Sequence, residues 1–280
     1  MFGLLRSSVV VAAGLVAFGS SAMGTTVTHL SDDFEAYNTN ADLRTAWNNT
    51  GLFLGIQGTT ANSGAILPLG TKFHQSNNAT TYRDLADDVS AEDDWTLSFK
   101  VSQNDVARAA QVVWLVDYLG APGTQGGVLS NGYGVRFDMN TELVRIIRTG
   151  TATDPAAGSL IGVGSSLVPP ETRTGISLSP SIALGGVIPD TGPLPFYDAK
   201  LTWTASTKTL AVYLIDLETP KTTFVETTSI TPTFDRVYAI GNGAGWFDDI
   251  SVTSTVIPEP ASLSCVVLGA GGMLLRRRRH

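Results

Sequence analysis

Between residues 25 and 255, apolar and polar side chains alternate in short runs, and Gly, Pro, Asn, Asp, Ser and Thr collect between the runs. The cleanest run is Trp95-Thr96-Leu97-Ser98-Phe99-Lys100-Val101. Trp95, Leu97, Phe99 and Val101 point one way and Thr96, Ser98 and Lys100 the other, which is the period of a strand buried on one face. Gln111 to Tyr118 is apolar at both phases and predicts a strand covered on both faces, at the centre of a sheet. Tyr133 to Asp138 and Glu142 to Thr149, with Met139-Asn140-Thr141 between them, predict a hairpin. Tyr197 to Thr204 and Lys208 to Asp216, joined through Ala205-Ser206-Thr207, predict another. Thr222 to Thr227, Arg236 to Ile240 and Phe247 to Thr253 read as further strands, and helical periodicity is confined to Asp42 to Trp47.

Residues 151 to 196 break this rhythm. Pro155, Pro169, Pro170, Pro180, Pro189, Pro193 and Pro195 fall there among many Gly and Ser. We read the stretch as a long excursion on the sheet surface, with short strands near Gly175 to Leu178. A domain boundary is the alternative, but the later half alone has too few strands to close a sandwich. Many short strands with turn signals predict an all-β, antiparallel jelly-roll sandwich. A chain of 280 residues, with 43% hydrophobic and 15% charged residues, excludes a disordered composition and fits one large β domain.

The two ends follow a different order. Residues 1–22 run from Arg6 through the apolar stretch Val9 to Phe18 to the small residues Gly19, Ser20, Ser21 and Ala22. This is the order of a signal peptide, with cleavage after Ala22 or at a second small-residue site, Ala22 with Gly24. Residues 256–280 run from Pro258-Glu259-Pro260 through Ala261 to Leu275 to Arg276, Arg277, Arg278 and Arg279. As a helix the apolar part would be about 22 Å long, short against a hydrocarbon core of about 30 Å, with its basic end held in the cytoplasm. Setting aside Arg6 and the four terminal arginines leaves 13 basic against 25 acidic residues, a net of −12. A body that acidic repels nucleic acid. The one cysteine, Cys265, lies in the apolar tail, so the body has no disulfide and no cysteine-based metal or redox site. His29 and His74 read as solvated loop residues.

Val256 to Leu263, the apolar stretch and the closing arginines together resemble the PEP-CTERM sorting signal. That resemblance implies a Gram-negative bacterium, a signal peptidase acting at the N-terminus, and an exosortase-type protease cutting near Pro258 to Pro260. The C-terminal helix would hold the protein at the inner membrane only transiently, before it joins the cell surface or an extracellular polysaccharide matrix. The body, residues 25–255, resembles the concanavalin-A-like, laminin-G-like sandwich. Asp94-Trp95-Thr96-Leu97-Ser98-Phe99 matches an early strand of that family. Ala199 to Thr204, followed by Leu210-Ala211-Val212-Tyr213, matches its late hairpin.

Phe247-Asp248-Asp249-Ile250-Ser251-Val252 raises a question of chemistry. If Ile250 and Val252 face the core, period 2 turns Asp248 inward as well, which is costly unless the carboxylate is paired or bound to metal. First and last strands of such sandwiches lie side by side. Asp33 or Glu35 could therefore join Asp248 around one structural calcium, as in carbohydrate-binding jelly rolls. The alternative places Asp248 at a strand start or bulge, bonded to backbone N–H groups. No catalytic set emerges. The Glu-x-Asp-x-x-Glu run of related sandwich glucanases is absent, and Gly-x-Ser-x-Gly does not occur. Trp47 and Trp246 border turns and are the better exposed candidates for stacking on a sugar. Trp114 and Tyr118 share one strand face and are further candidates, against the alternative that Trp95, Trp114 and Trp203 are core residues. The expectation is a non-catalytic surface or matrix protein, glycan-binding in one version, purely structural or adhesive in another. A divergent polysaccharide-active enzyme is the third alternative.

Overall fold

The structure is a computed structural model and describes residues 24–48, 52–56, 72–77, 80–103, 111–118, 129–138, 143–148, 176–177, 182–183, 196–227, 233–241 and 244–256. In chain order these form β1 (Thr25–Asp32), α1 (Asn40–Ala46), β2 (Leu52–Ile56), β3 (Lys72–Asn77), β4 (Thr80–Ser90), β5 (Asp94–Gln103), β6 (Gln111–Tyr118) and β7 (Leu129–Asp138). There follow β8 (Leu143–Arg148), β9 (Ile176–Ser177), β10 (Ile182–Ala183), β11 (Tyr197–Thr204), β12 (Thr209–Leu214), β13 (Thr222–Val225), β14 (Thr233–Gly241) and β15 (Ala244–Val256). The signal and sorting segments, with Pro258, Glu259, Pro260 and Arg276 to Arg279, lie outside the described residues. Among the described residues no helix is long and apolar enough to cross a membrane.

The strands make two antiparallel sheets. The eight-stranded sheet has the order β13-β12-β11-β5-β15-β3-β2, with β1 also paired to β15. The seven-stranded sheet has the order β10-β8-β7-β6-β14-β4, with β9 also paired to β8. Alternation decides which face each strand buries. Leu97, Phe99 and Val101 of β5 meet Val113, Leu115, Val135 and Phe137 of β6 and β7 in one core between the sheets. Phe99 and Phe137 touch edge to face, with ring centres 5.9 Å apart. Trp95 and Trp203, expected in the core, stack there at 6.4 Å, and the Trp203 indole N–H donates to Ala91 O. β6 is central and buried on both faces from Val112 to Val116, as its two-phase apolar pattern predicts.

Both predicted hairpins form. The turn between β11 and β12 is a single 3-10 turn over Ala205–Thr207, closed by Lys208 in the left-handed region at φ 51. The short strand expected near Gly175 to Leu178 is β9, on the edge of β8. First and last strands do lie side by side, with Thr25 opposite Val256 and Asp32 opposite Ile250. Helix α1 starts in a capping box, the Thr39 hydroxyl accepting from Asp42 N–H while the Asp42 carboxylate accepts from Thr39 N–H.

Candidate functional site

The proposed calcium ligands are placed by β1, the turn after it, and β15. Asp33 and Glu35 are exposed, because the chain alternates there and turns Asp32 and Phe34 inward. Asp33 accepts from Glu35 N–H at 3.1 Å, and Glu35 accepts from Lys72 N–H at 2.7 Å. Asp248 is buried, but it does not face the inter-sheet core. The β15–β5 register slips between Asp248 and Ser251, and Asp249 takes a left-handed φ of 48. That bulge reverses the phase, so Phe247, Ile250 and Val252 enter the core and Asp248 turns to the outer side with Trp246. The simple period-2 placement of Asp248 is therefore corrected: this is the bulge alternative, with Asp248 Oδ1 accepting from Asp249 N–H at 2.9 Å.

These residues do not fit a calcium cage. Each carboxylate is engaged by backbone N–H, and the oxygens nearby already hold a cation. The Lys72 ammonium donates to Glu35 O at 2.8 Å, Tyr37 O at 3.0 Å and Asn38 Oδ1 at 3.4 Å. The Lys100 ammonium pairs with Asp249 at 2.5 Å. Among the described residues no group of three or more His, Cys, Asp and Glu is arranged to hold a metal ion. Calcium added after chelator treatment should leave the melting temperature unchanged. A calcium-dependent rise of several degrees would mean that Asp33, Glu35 and Asp248 rearrange around the ion.

The histidines are not solvated loop residues. His29 sits at a slip in the β1–β15 register. Its Nε2 lies 2.8 Å from Ser254 Oγ and its Nδ1 3.1 Å from Asp87 O, so it ties β15 to β4. Because a carbonyl can only accept, Nδ1 donates to Asp87 O. His74 is enclosed by Phe34, Trp47 and Phe247, at ring distances of 5.5 Å in each case. Burial holds its pKa down at about 3, so it is neutral.

Two of the stacking candidates are removed by burial. Trp47 caps α1 and drops into the core, where its indole N–H donates to Asp32 Oδ2 at 2.8 Å. Trp246 is buried against Phe73 and Phe196. Proximity to a turn misled in both cases, because the turn delivers the ring inward. The side chain of Tyr118 lies outside the described residues.

Trp114 is buried as well, at 1% exposure, but outside the inter-sheet core. It stands on the outer face of the seven-stranded sheet in a second cluster with Tyr82, Val112, Val116, Ile147 and Tyr238. The registers align Tyr82, Tyr238 and Trp114 in one row across β4, β14 and β6. The next position in that row is Gly134, where a Cβ would stand 2.4 Å from Val113 O and 3.2 Å from the Trp114 ring. Glycine there lets the ring lie flat against β7. A second row runs beside the first. Asp84 and Arg236 are opposite one another, joined from Arg236 Nε to Asp84 Oδ1 at 2.5 Å, and the guanidinium lies 4.0 Å above the Tyr82 ring centre. The Trp114 indole N–H is buried with no hydrogen-bond partner, as are those of Trp95 and Trp246. Three rings, a carboxylate–guanidinium pair and an unsatisfied N–H are the kinds of group a sugar uses, but the rings and the guanidinium are all 3% exposed or less. Sequence reading missed Tyr82, Asp84, Gly134, Arg236 and Tyr238.

No family model matches the chain, and no curated protein sequence does. Among solved structures, the globular domain of T. cruzi calreticulin matches over 86% of this chain and 92% of its own, at 10% identity and a TM-score of 0.50. A Bacillus subtilis protein of unknown function with a galectin-like fold matches over 82% and 97%, at 10% identity and 0.46. A legume lectin-like domain from Entamoeba histolytica matches over 81% and 97%, at 11% identity and 0.43. The likeness is one of fold. It carries no residue's role into this chain.

Proposed function

We propose that this chain is an exported, non-catalytic glycan-binding protein with a concanavalin-A-like jelly-roll body, and that it binds on the outer face of the seven-stranded sheet. The observation behind this is the row Tyr82–Tyr238–Trp114 with the Asp84–Arg236 pair beside it and an indole N–H that has no protein partner. A ring stacked on such a row and hydrogen-bonded at its rim is the common geometry of sugar recognition, in which aromatic faces supply area and a few polar groups fix orientation. Export, tail processing by an exosortase-type protease and residence at the cell surface or in a polysaccharide matrix are proposed from the order of residues at the two ends.

A second reading is a structural or adhesive surface protein without a sugar site. One observation favours it: Tyr82, Trp114, Arg236 and Tyr238 are all buried, at 3% exposure or less. A glycan would have to displace whatever covers them. A glycan array probed with the full chain separates the readings. Binding should be seen and should fall at least tenfold, about 1.4 kcal/mol, in Trp114→Ala and in Tyr238→Leu. Trp114→Phe, which keeps a ring but removes the N–H, should lose part of it. Unchanged binding in all three variants, or none in the parent chain, would remove this face from consideration.

A further inference from the structure

Along one side of the sandwich the two sheets end next to each other, with β1 at the edge of the eight-stranded sheet and β4 at the edge of the seven-stranded one. Each edge strand bulges there. In β1, His29 is inserted between Thr28, opposite Thr253, and Leu30, opposite Val252. In β4, residues 85–88 stand against the single Asp235 of β14. Among the described residues no main-chain hydrogen bond joins β1 to β4. Between the bulges lies a cleft of about 360 Å³, within the range of about 300–1,000 Å³ found for small-ligand sites. A bulge on each edge discourages pairing with another chain, which is reason enough for either one alone. It is not a reason for the two to meet around one space.

The cleft is fixed on one side and reachable on the others. His29 lines it, buried and held at both ring nitrogens, Nδ1 by Asp87 O at 3.1 Å and Nε2 by Ser254 Oγ at 2.8 Å. Thr28, Ser31 and Ala86 are exposed, and the side chains of Arg83 and Asp84 are 32% and 33% exposed. Arg83 keeps its partner Asp32 and Asp84 its partner Arg236, so neither charge calls for a counter-ion. Neighbouring charges of opposite sign leave the cleft close to neutral, which favours an uncharged ligand. A threonine or serine hydroxyl both donates and accepts, a carboxylate only accepts, and a guanidinium only donates. A ligand with several hydroxyls, each able to donate and to accept, answers all four groups. No aromatic side chain is among the described residues lining the cleft, so hydrogen bonds rather than stacking would hold it. Asp84 also stands in the outer-face row with Arg236, which puts the cleft at the rim of that face.

We infer that this cleft takes the terminal sugar residue of an uncharged glycan, hydrogen-bonded by Thr28, Ser31, Arg83 and Asp84. The inference rests on the reading of the protein as glycan-binding, and it names a part of that face that a ligand reaches without displacing anything from the buried rings. A cleft of this size accepts one end of a chain, and the rest of the chain extends into solvent.

Titration calorimetry on the full chain would use a linear glucan, a linear mannan and a linear galactan, each as intact polymer and as short fragments. At least one of the three should bind, with the same affinity per mole of chains for fragment and polymer, because each chain offers one such end whatever its length. Thr28→Val with Ser31→Ala should weaken that binding tenfold or more, and so should Ala86→Phe, which fills the cleft. All three positions are exposed, so the urea midpoints of these variants should stay at the parent's value. Affinity per chain that rises tenfold from fragment to polymer, or binding that survives both cleft variants but falls in Trp114→Ala, overturns the inference and leaves the aromatic row as the site. Failure of all three glycans to bind overturns the inference and the glycan-binding reading together.

Discussion

Replacing Asp32 by alanine should cost the folded state about 3–5 kcal/mol, measured as a loss of unfolding free energy in urea. Few side chains here carry as many obligations. Its Oδ2 accepts from Tyr37 OH at 2.6 Å, from Trp47 Nε1 at 2.8 Å and from Arg83 Nη1, while Oδ1 accepts from Phe34 N–H at 2.9 Å. The last bond closes the turn that sets Phe34, at φ 58, into the core. Alanine would leave the fully buried Trp47 N–H without an acceptor and would strand the Tyr37 hydroxyl and the Arg83 charge together. Each orphaned buried donor costs about 1–3 kcal/mol. The Tyr37 phenol already reports the strength of this cluster, its pKa pushed up to about 12 by burial and by the Asp32 carboxylate that accepts its proton. Asp32→Asn should be nearly as harmful, because an amide can turn only one oxygen toward four donors. Arg83→Gln should cost distinctly less, since that side chain is 32% exposed and water can screen it. A loss below about 1 kcal/mol in Asp32→Ala would show that the whole cluster carries little energy, and an equal loss in Arg83→Gln would show that the charge pair rather than the indole and turn carries it.

Asp32 also shows where sequence reading stops. Its neighbours Asp33 and Glu35 were legible as carboxylates near the last strand, and β1 does pair with β15. What single-sequence patterns lack is which of the three acidic positions Asp32, Asp33 and Glu35 turns inward, because that depends on Trp47, Tyr37 and Arg83 arriving from elsewhere. The strongly alternating strands β5, β11 and β12 were readable because each buries one complete face. β4 was not, since Thr80–Ser90 contains Asp84, Asp87 and Asp88 and has little apolar periodicity. An edge strand can carry such residues, whose charges discourage pairing with another chain. The outer-face cluster left one sequence signal: Val112, Trp114 and Val116 are apolar on the phase opposite Val113 and Leu115, which requires cover on both faces of β6. The rest of that cluster comes from β4, β8 and β14, so its assembly depends on registers that no local pattern encodes. The bulge at Asp249 was partly visible, as Asp tolerates a left-handed φ better than most residues, but a pair of aspartates does not say which one bends.

The pH profile of stability should contain two opposed slopes that conceal each other. His74 has its pKa lowered to about 3 by burial, against about 6.5 in an unfolded chain. Its contribution is fully present above pH 6.5 and is lost as pH falls toward 3, because only the unfolded state takes up the proton. Asp248 has its pKa raised to about 7, first by burial and next by the charge of Asp249, with the Asp249 N–H and Lys100 opposing and Glu35 adding a little. Its unfolded value is about 3.9, so its contribution is present below that value and is lost as pH rises through 7. Between about pH 4 and 6.5, the unfolded state holds a proton on His74 and the native state holds one on Asp248. The two proton counts match and these groups leave stability flat. Asp248→Asn should expose the histidine slope, stability rising with pH by up to about 1.4 kcal/mol per unit from 3 to 6.5, and should stabilise the protein at pH 8. The asparagine oxygen can still accept from Asp249 N–H. His74→Phe should expose the opposite slope, stability falling as pH rises from 4 to 7. It should cost little at pH 7, because Nδ1 of His74 is buried without a partner and phenylalanine suits the ring of Phe34, Trp47 and Phe247. Urea midpoints between pH 3 and 8 for the parent and both variants decide the matter, since subtracting the parent curve removes every other titrating group. Difference curves that are flat, or that slope the same way in both variants, would show that the two groups do not titrate as their burial requires.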